Sequence, residues 1–196
     1  DYLKAYWNSN ILNGTSWNQA LHDGFVIKDL LPYSAPTNIV DLSAAAAALE
    51  SKKTSDLELS LYTKVGLGNG QMANNPWLQE LPDPITRTSW DNYLLISRVD
   101  AEAYGLKNWT VSNGALNGDM VNVTVNGVTL ENVPVYIQPG QAPGSVGLAL
   151  GYGRKSGVQN EMEIWLNAYP LYQEFNNHQP VSIQKVEGEH EFACVQ

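Results

Sequence analysis

Residues 118–137 read GDMVNVTVNGVTLENVPVYI, and this stretch decides the fold class. Apolar and polar side chains alternate from Met120 to Val125, as in a strand with one buried face. Asn126-Gly127 follows and is typical of a two-residue β-hairpin turn. The chain then returns through Val128–Leu130, and a further strand is predicted at Val133–Ile137. The centre of the protein is therefore predicted to be antiparallel β-structure.

Outward from this hairpin, the same kind of signal recurs on both sides. Alternating leucines from Leu57 to Leu61 predict a half-buried strand. Continuous apolar runs predict strands at Tyr93–Ser97 and Ser145–Leu150, and a one- or two-turn helix is expected from Asp100 to Gly105. Two last strands are predicted at the end of the sequence, over Val181–Val186 and Phe192–Val195. Short strands separated by turns, with one small helix among them, predict a small closed barrel.

The first 55 residues carry helical signals instead. Thr15 or Ser16 can cap a helix over Trp17–Asp23 that Gly24 would end. Asp41 can cap a second helix from Leu42 to about Lys53. The predicted organisation is a helical segment over residues 1–55 that packs on the outside of a β domain over residues 56–196.

Composition restricts the function classes. The net charge is −9 with only 11 Lys and Arg residues, so the sequence has no basic stripe that would attract a nucleic acid. No apolar run approaches the ~20 residues that a membrane-spanning helix needs. The single cysteine, Cys194, excludes an internal disulfide, a zinc cage and a cysteine-ligated iron–sulfur cluster built from these residues alone. The start at Asp1 and the strand-like end predict that the sequence is a domain excised from a longer protein.

No familiar catalytic motif in the sequence indicates which reaction, if any, the chain catalyses. The three histidines lack metal-ligand spacing, and no P-loop or nucleophile elbow occurs. The carboxylates of Asp83, Asp91 and Asp100 have no second feature that supports glycoside chemistry.

Two loops are more informative. One runs from Trp77 to Asp91, and the other is Gly151–Lys155. Glycines allow a close approach to a ligand, and Arg87, Arg154 and Lys155 can neutralise an anion, so the two loops can line a site for an elongated anionic cofactor. The alternative is that both loops pack on another domain.

Four stretches together carry a family resemblance. They are NPWLQELPDP (75–84), WDNY (90–93), NGDMVNV (117–123) and the segment from Ile137 to Arg154 that ends in GLALGYGR. They resemble the C-terminal domain of the molybdopterin oxidoreductases of the DMSO-reductase and formate-dehydrogenase superfamily. The chain looks most similar to the molybdopterin-oxidoreductase-like iron–sulfur subunit of alternative complex III, a bacterial respiratory quinol oxidoreductase.

The resemblance implies a mainly β fold with peripheral helices, specifically a double-psi β-barrel. In cofactor-bearing relatives this domain contacts molybdopterin guanine dinucleotide. By that analogy the cofactor-facing residues would be Trp77, Gln79, Arg87, Tyr152, Gly153 and Arg154. In the alternative complex III subunit the pterin site is thought to be vestigial, and electrons pass through iron–sulfur clusters in a region that would follow residue 196.

The resulting expectation is a structural domain of a respiratory electron-transfer subunit that is not catalytic by itself. Its partners would be the remaining domains of the same subunit and other subunits of a membrane-bound complex on the periplasmic side of the bacterial inner membrane. No cofactor is expected in the isolated chain. Two alternatives stay open: a genuine molybdopterin guanine dinucleotide-binding domain of a molybdenum oxidoreductase, and a secreted module that stacks a ligand on Trp77, Trp90 and Trp109.

Overall fold

A computed structural model describes residues 1–27, 42–51, 56–112, 114–155 and 163–194. The chain divides into two compact units, Asp1–Leu49 and Glu50–Gln196. Within the described ranges, no helix has both the length and the apolar character needed to cross a bilayer.

The first unit is helical. It contains α1 (Tyr2–Asn10), α2 (Trp17–Asp23) and most of α3 (Leu42–Ser51). The predicted start of α2 is confirmed, since Ser16 Oγ accepts a hydrogen bond from the Gln19 amide at 3.1 Å. Its predicted end is also confirmed, because Gly24 adopts the left-handed conformation (φ 75°). The proposed Asp41 cap of α3 and the predicted helix end near Lys53 both lie outside the described residues.

The second unit is mainly β, as predicted, with a few short helices. Its helices are α4 (Pro76–Glu80) and α5 (Arg98–Ala103), with a 3-10 turn at Tyr169–Leu171. Its strands are β1 (Glu58–Thr63), β2 (Thr88–Ser89), β3 (Leu94–Ile96), β4 (Asn108–Thr110), β5 (Leu116–Val125), β6 (Val128–Ile137), β7 (Ser145–Leu150), β8 (His178–Pro180) and β9 (Ser182–Cys194). They form one mixed sheet in the order β2-β9-β5-β6-β3-β7-β1-β8, and β4 also pairs with β5.

The strand pairing explains why this sheet buries a core. β1 runs parallel to β7, and β3 runs parallel to β6, while β3 and β7 pair antiparallel between them. These central strands are lined by fully buried side chains such as Leu59, Leu94 and Leu148. The pairings of the described strands leave the sheet open, with β2 and β8 at its two ends, so they do not close the predicted barrel.

Three local predictions were wrong in their bounds. α5 begins at Arg98 and not at Asp100, because the Ser97 hydroxyl accepts a hydrogen bond from the Asp100 amide and caps the helix. The two strands predicted on either side of residues 131–132 are one strand, β6. The two predicted terminal strands are likewise one strand, β9, which continues through a β-bulge opposite Asp119/Met120.

Close backbone packing places one glycine where no other residue fits. Gly151 follows β7 with a φ of +97°, and a Cβ there would lie 2.6 Å from the Gly68 carbonyl oxygen. The loop after β1 and the loop after β7 therefore touch backbone to backbone. This contact holds Gly151–Lys155, one of the two loops singled out in the sequence, against the segment that follows β1.

We expect Gly151→Ala to lower the free energy of unfolding by roughly 2–4 kcal/mol, since it adds a backbone clash to the cost of a positive φ. Gly127→Ala is the matched control, because Gly127 has a φ of +81° but no atom lies within 4 Å of the position that a Cβ would take there. It should cost only about 1 kcal/mol. Urea unfolding of both variants measures the difference, and equal losses would argue against the close packing.

Candidate functional site

The two sequence-selected loops meet at a small cavity of about 180 Å³. Tyr152 comes from the loop after β7, and Asp83 comes from the loop after α4. The segment that follows β1 contributes the third wall. The lining residues are Lys64, Val65, Gly66, Leu78, Leu81, Pro82, Asp83, Pro84, Thr88 and Tyr152.

Lys64 is the most unusual side chain of this cavity, because it is a buried cation with only 7% of its surface exposed. Its Nζ donates a hydrogen bond to the Asp91 carbonyl oxygen at 3.2 Å. The same Nζ lies 3.8 Å from the ring centroid of Tyr93 and 5.2 Å from that of Tyr152. Aromatic faces attract a cation most strongly where water is excluded, so the two rings offset part of the cost of burying the charge.

Burial changes the protonation of the groups around the cavity. It lowers the pKa of Lys64 from 10.5 to about 8, although the charges of Asp83 and Asp91 act in the opposite direction. Burial also raises the pKa values of Tyr62, Tyr93 and Tyr152, and the negative charge of Asp83 adds to each rise. The site therefore holds a lysine that loses its proton more readily than a solvated lysine does, among tyrosines that stay protonated.

Asp83 organises the turn that leads into β2. Its Oδ1 accepts hydrogen bonds from the Ile85 amide (3.0 Å), the Thr86 amide (2.9 Å) and the Thr86 hydroxyl (3.2 Å). The Thr86 hydroxyl also bonds the phenol oxygen of Tyr93. Through Thr86, the loop that contains Asp83 is therefore hydrogen-bonded to Tyr93, the same buried tyrosine whose ring contacts the Lys64 ammonium group.

Asp91 and Asn92 hold the start of β3 in place. The Asp91 Oδ1 lies 3.0 Å from His190 Nε2, and its Oδ2 accepts a hydrogen bond from the Ala193 amide at 3.3 Å. Asn92 is buried, and its Nδ2 donates to the Ala149 carbonyl oxygen at 2.9 Å. These bonds join the segment under Lys64 to β9 on one side and to β7 on the other.

Of the six residues that the resemblance assigned to a cofactor, the structure brings only Tyr152 to the cavity wall. Gln79 is buried and donates from Nε2 to the Ala73 carbonyl oxygen at 2.7 Å. Gly153 packs on Asn167 so closely that a Cβ would lie 2.3 Å from it. The three others, Trp77, Arg87 and Arg154, have exposed side chains.

Sequence reasoning missed Lys64 and His190 and set Asp91 aside with two other aspartates. The structure separates those three carboxylates by role. Asp83 and Asp91 surround Lys64, whereas Asp100 Oδ2 accepts hydrogen bonds from Ser97 Oγ (2.7 Å) and the Gly144 amide (2.9 Å). The sequence feature that comes closest to indicating Lys64 is its position directly after β1, the strand in which apolar and polar side chains alternate.

Four large exposed apolar side chains belong to the cavity lining or adjoin it in the sequence: Val65 and Leu81 line the cavity, and Trp77 and Ile85 are next to the lining residues Leu78 and Pro84. Val65 is 82% exposed, Trp77 79%, Ile85 73% and Leu81 52%. Leu81 lies one helical turn beyond Trp77, since its amide donates to the Trp77 carbonyl oxygen at 3.0 Å. We call these four residues the apolar rim.

No protein-family model matches the chain, and no curated protein is significantly similar to it.

The buried charge of Lys64 predicts a rise of stability at alkaline pH. The native pKa of Lys64 lies near 8 and the unfolded value is 10.5, so the native state binds fewer protons between these values. The free energy of unfolding should therefore increase across that window by roughly 3 kcal/mol. Above about pH 10 the buried tyrosines reverse the trend, because they ionise more readily in the unfolded chain.

Lys64→Met tests this assignment, because it keeps the apolar stem and removes the charge. Urea unfolding between about pH 7 and pH 10 should show the rise in the wild-type chain and in the exposed-lysine control Lys107→Met. It should be absent in Lys64→Met, which we expect to be the more stable variant at neutral pH. If the free energy of unfolding of Lys64→Met rose with pH as much as that of the wild-type chain, a group other than Lys64 would be responsible for the rise.

Proposed function

We propose that the second unit is a double-psi β-barrel domain of a molybdopterin-oxidoreductase-like iron–sulfur subunit, of the kind found in alternative complex III. Its role is to pack against neighbouring polypeptide and stabilise the electron-transfer subunit, and it catalyses no reaction by itself. The iron–sulfur clusters lie outside this chain, and the partners are the other domains of the subunit and of the complex. The complex is attached to the periplasmic side of the bacterial inner membrane.

The observation that carries this proposal is the apolar rim. Trp77 and Leu81 belong to the stretch NPWLQELPDP, which carries the family resemblance, and Ile85 follows it directly. Exposed contiguous apolar side chains are uncommon on a monomer and are typical of a protein interface. Tryptophan is also among the residues that dominate interface energetics. The resemblance and the exposed apolar surface thus fall on the same part of the molecule.

The strand pairing supports the finer fold assignment. Two parallel pairs, β1 with β7 and β3 with β6, flank one antiparallel pair, β3 with β7. This mixture of parallel and antiparallel pairing is compatible with the interlocked psi loops of the proposed fold. Closure of the sheet into a barrel is part of the proposal.

Two features favour packing over cofactor binding. The cavity volume of about 180 Å³ is smaller than the 300–1,000 Å³ typical of ligand pockets. The cation on its wall, Lys64, is already held by the Asp91 carbonyl and by Tyr93. An anionic cofactor would have to compete with these internal contacts.

A second candidate function is a genuine molybdopterin guanine dinucleotide-binding domain. It is favoured by Arg87 and Arg154, which are exposed and form no ion pair with any other residue that the structure describes. Guanidinium groups bind phosphate oxygens in a bidentate manner, so these two side chains are suited to a dinucleotide. Tyr152 and Gly153 would then lie beside it.

The packing role predicts a strong effect of charge at the rim. In the complete subunit, Trp77→Asp and Leu81→Asp should each reduce its recovery in the purified membrane complex about tenfold, since a desolvated carboxylate opposes an apolar interface. Phe175→Asp is the control, because Phe175 is 90% exposed but lies outside the rim. Quantitative immunoblotting of the purified complex measures recovery. Equal recovery of all three variants would reject the rim as an interface.

Elemental analysis of the same purified complex separates the two candidates. The structural role predicts iron without stoichiometric molybdenum, whereas the dinucleotide-binding role predicts about one molybdenum per subunit. In the second case, Arg87→Ala with Arg154→Ala should lower the molybdenum content. A molybdenum content that both arginine replacements leave unchanged would contradict their assignment to the dinucleotide.

A further inference from the structure

A buried lysine, Lys64, is among the residues that line the cavity. Leu78, Leu81, Pro82 and Pro84 supply mainly apolar walls, and Lys64 is the only lysine among the lining residues. The Nζ is held at one end of its stem by the Asp91 carbonyl and by the face of Tyr93. A buried amine held in this way has a fixed position relative to whatever enters the cavity.

We propose that Lys64 is a carbonyl-capture site, at which its Nζ forms a reversible imine with a short-chain aldehyde that enters this cavity. The class of ligand follows from the volume of about 180 Å³, which admits a small carbonyl compound and excludes a large one. The inference concerns the isolated chain and does not depend on the function proposed above.

The chemistry balances without any further reactant. The neutral amine adds to the carbonyl carbon, its proton passes to the carbonyl oxygen, and a carbinolamine forms. Loss of the hydroxyl group as water, with departure of the second nitrogen proton, gives the imine. The reaction consumes one aldehyde and releases one water, and hydrolysis reverses it.

The surroundings of Lys64 favour each part of this reaction. Burial lowers its pKa to about 8, so a substantial share of the amine is neutral near physiological pH, unlike that of a solvated lysine. The apolar walls limit the water that would hydrolyse the imine.

Asp83 is the group placed to move the protons. Its carboxylate lines the same cavity, and its Oδ1 is occupied by the donors of Ile85 and Thr86. Its Oδ2 accepts no hydrogen bond from the part of the chain that the structure describes. That oxygen can take a proton from the addition product and return it to the leaving hydroxyl group.

Reductive labelling of the wild-type chain tests the proposal without any variant. The chain is incubated briefly with propanal and cyanoborohydride near pH 7.5, and peptide mass spectrometry measures propylation at each lysine. We expect Lys64 to be labelled about tenfold faster than the seven other lysines, because burial lowers the pKa of its amine to about 8. Labelling of Lys64 at or below the rate of the other lysines would overturn the proposal.

Two further readouts distinguish capture in the cavity from general amine reactivity. The labelling rate of Lys64 should rise to half its maximum near pH 8, because burial lowers the pKa of its amine to about 8. Asp83→Asn should slow labelling at Lys64 by about tenfold and leave Lys107 unchanged. Identical pH profiles at the two lysines would contradict the site, and so would a faster Lys64 reaction with a bulky aldehyde than with propanal.

Discussion

The contact between the Lys64 ammonium and the face of Tyr93 is the constraint on which the rest of this region depends. Lys64 follows β1 and Tyr93 precedes β3, and these strands lie on opposite sides of β7 in the sheet. Removing an ammonium group from water is costly, so the surrounding groups must be placed accurately to offset that cost. The Asp91 carbonyl oxygen does so by accepting a hydrogen bond from Nζ, and the Asp83 charge does so by favouring the protonated amine.

Much of the fold could be predicted because its signals are local. The alternation through Leu57, Leu59 and Leu61 reflects burial of one strand face, and all three leucines are buried. Asn126 and Gly127 both adopt positive φ angles, as the predicted hairpin turn requires. The length of β9 could not be predicted, because its exposed glutamates resemble a loop and its extended form depends on pairing with distant β5.

The candidate site was predictable only in part, for the same reason. Glycine and tyrosine in one loop identified Tyr152, and the dense loop after Trp77 indicated the other wall. Lys64 carried no comparable signal, because a single lysine after a strand is usually solvated. Only the pairing of β1 with β7 and of β7 with β3 places that lysine beside Asp91, which lies 27 positions later in the sequence.

We propose that the surface around this buried lysine, from Lys64 to Asp91, is covered by another polypeptide in the intact protein. Hydrogen–deuterium exchange of the isolated chain and of the same residues in the assembled membrane complex tests it directly. We expect the amides of residues 64–91 to exchange at least about tenfold more slowly in the complex, while the hairpin tip at Asn126-Gly127 exchanges equally in both. Equal exchange of residues 64–91 in the two states would contradict it.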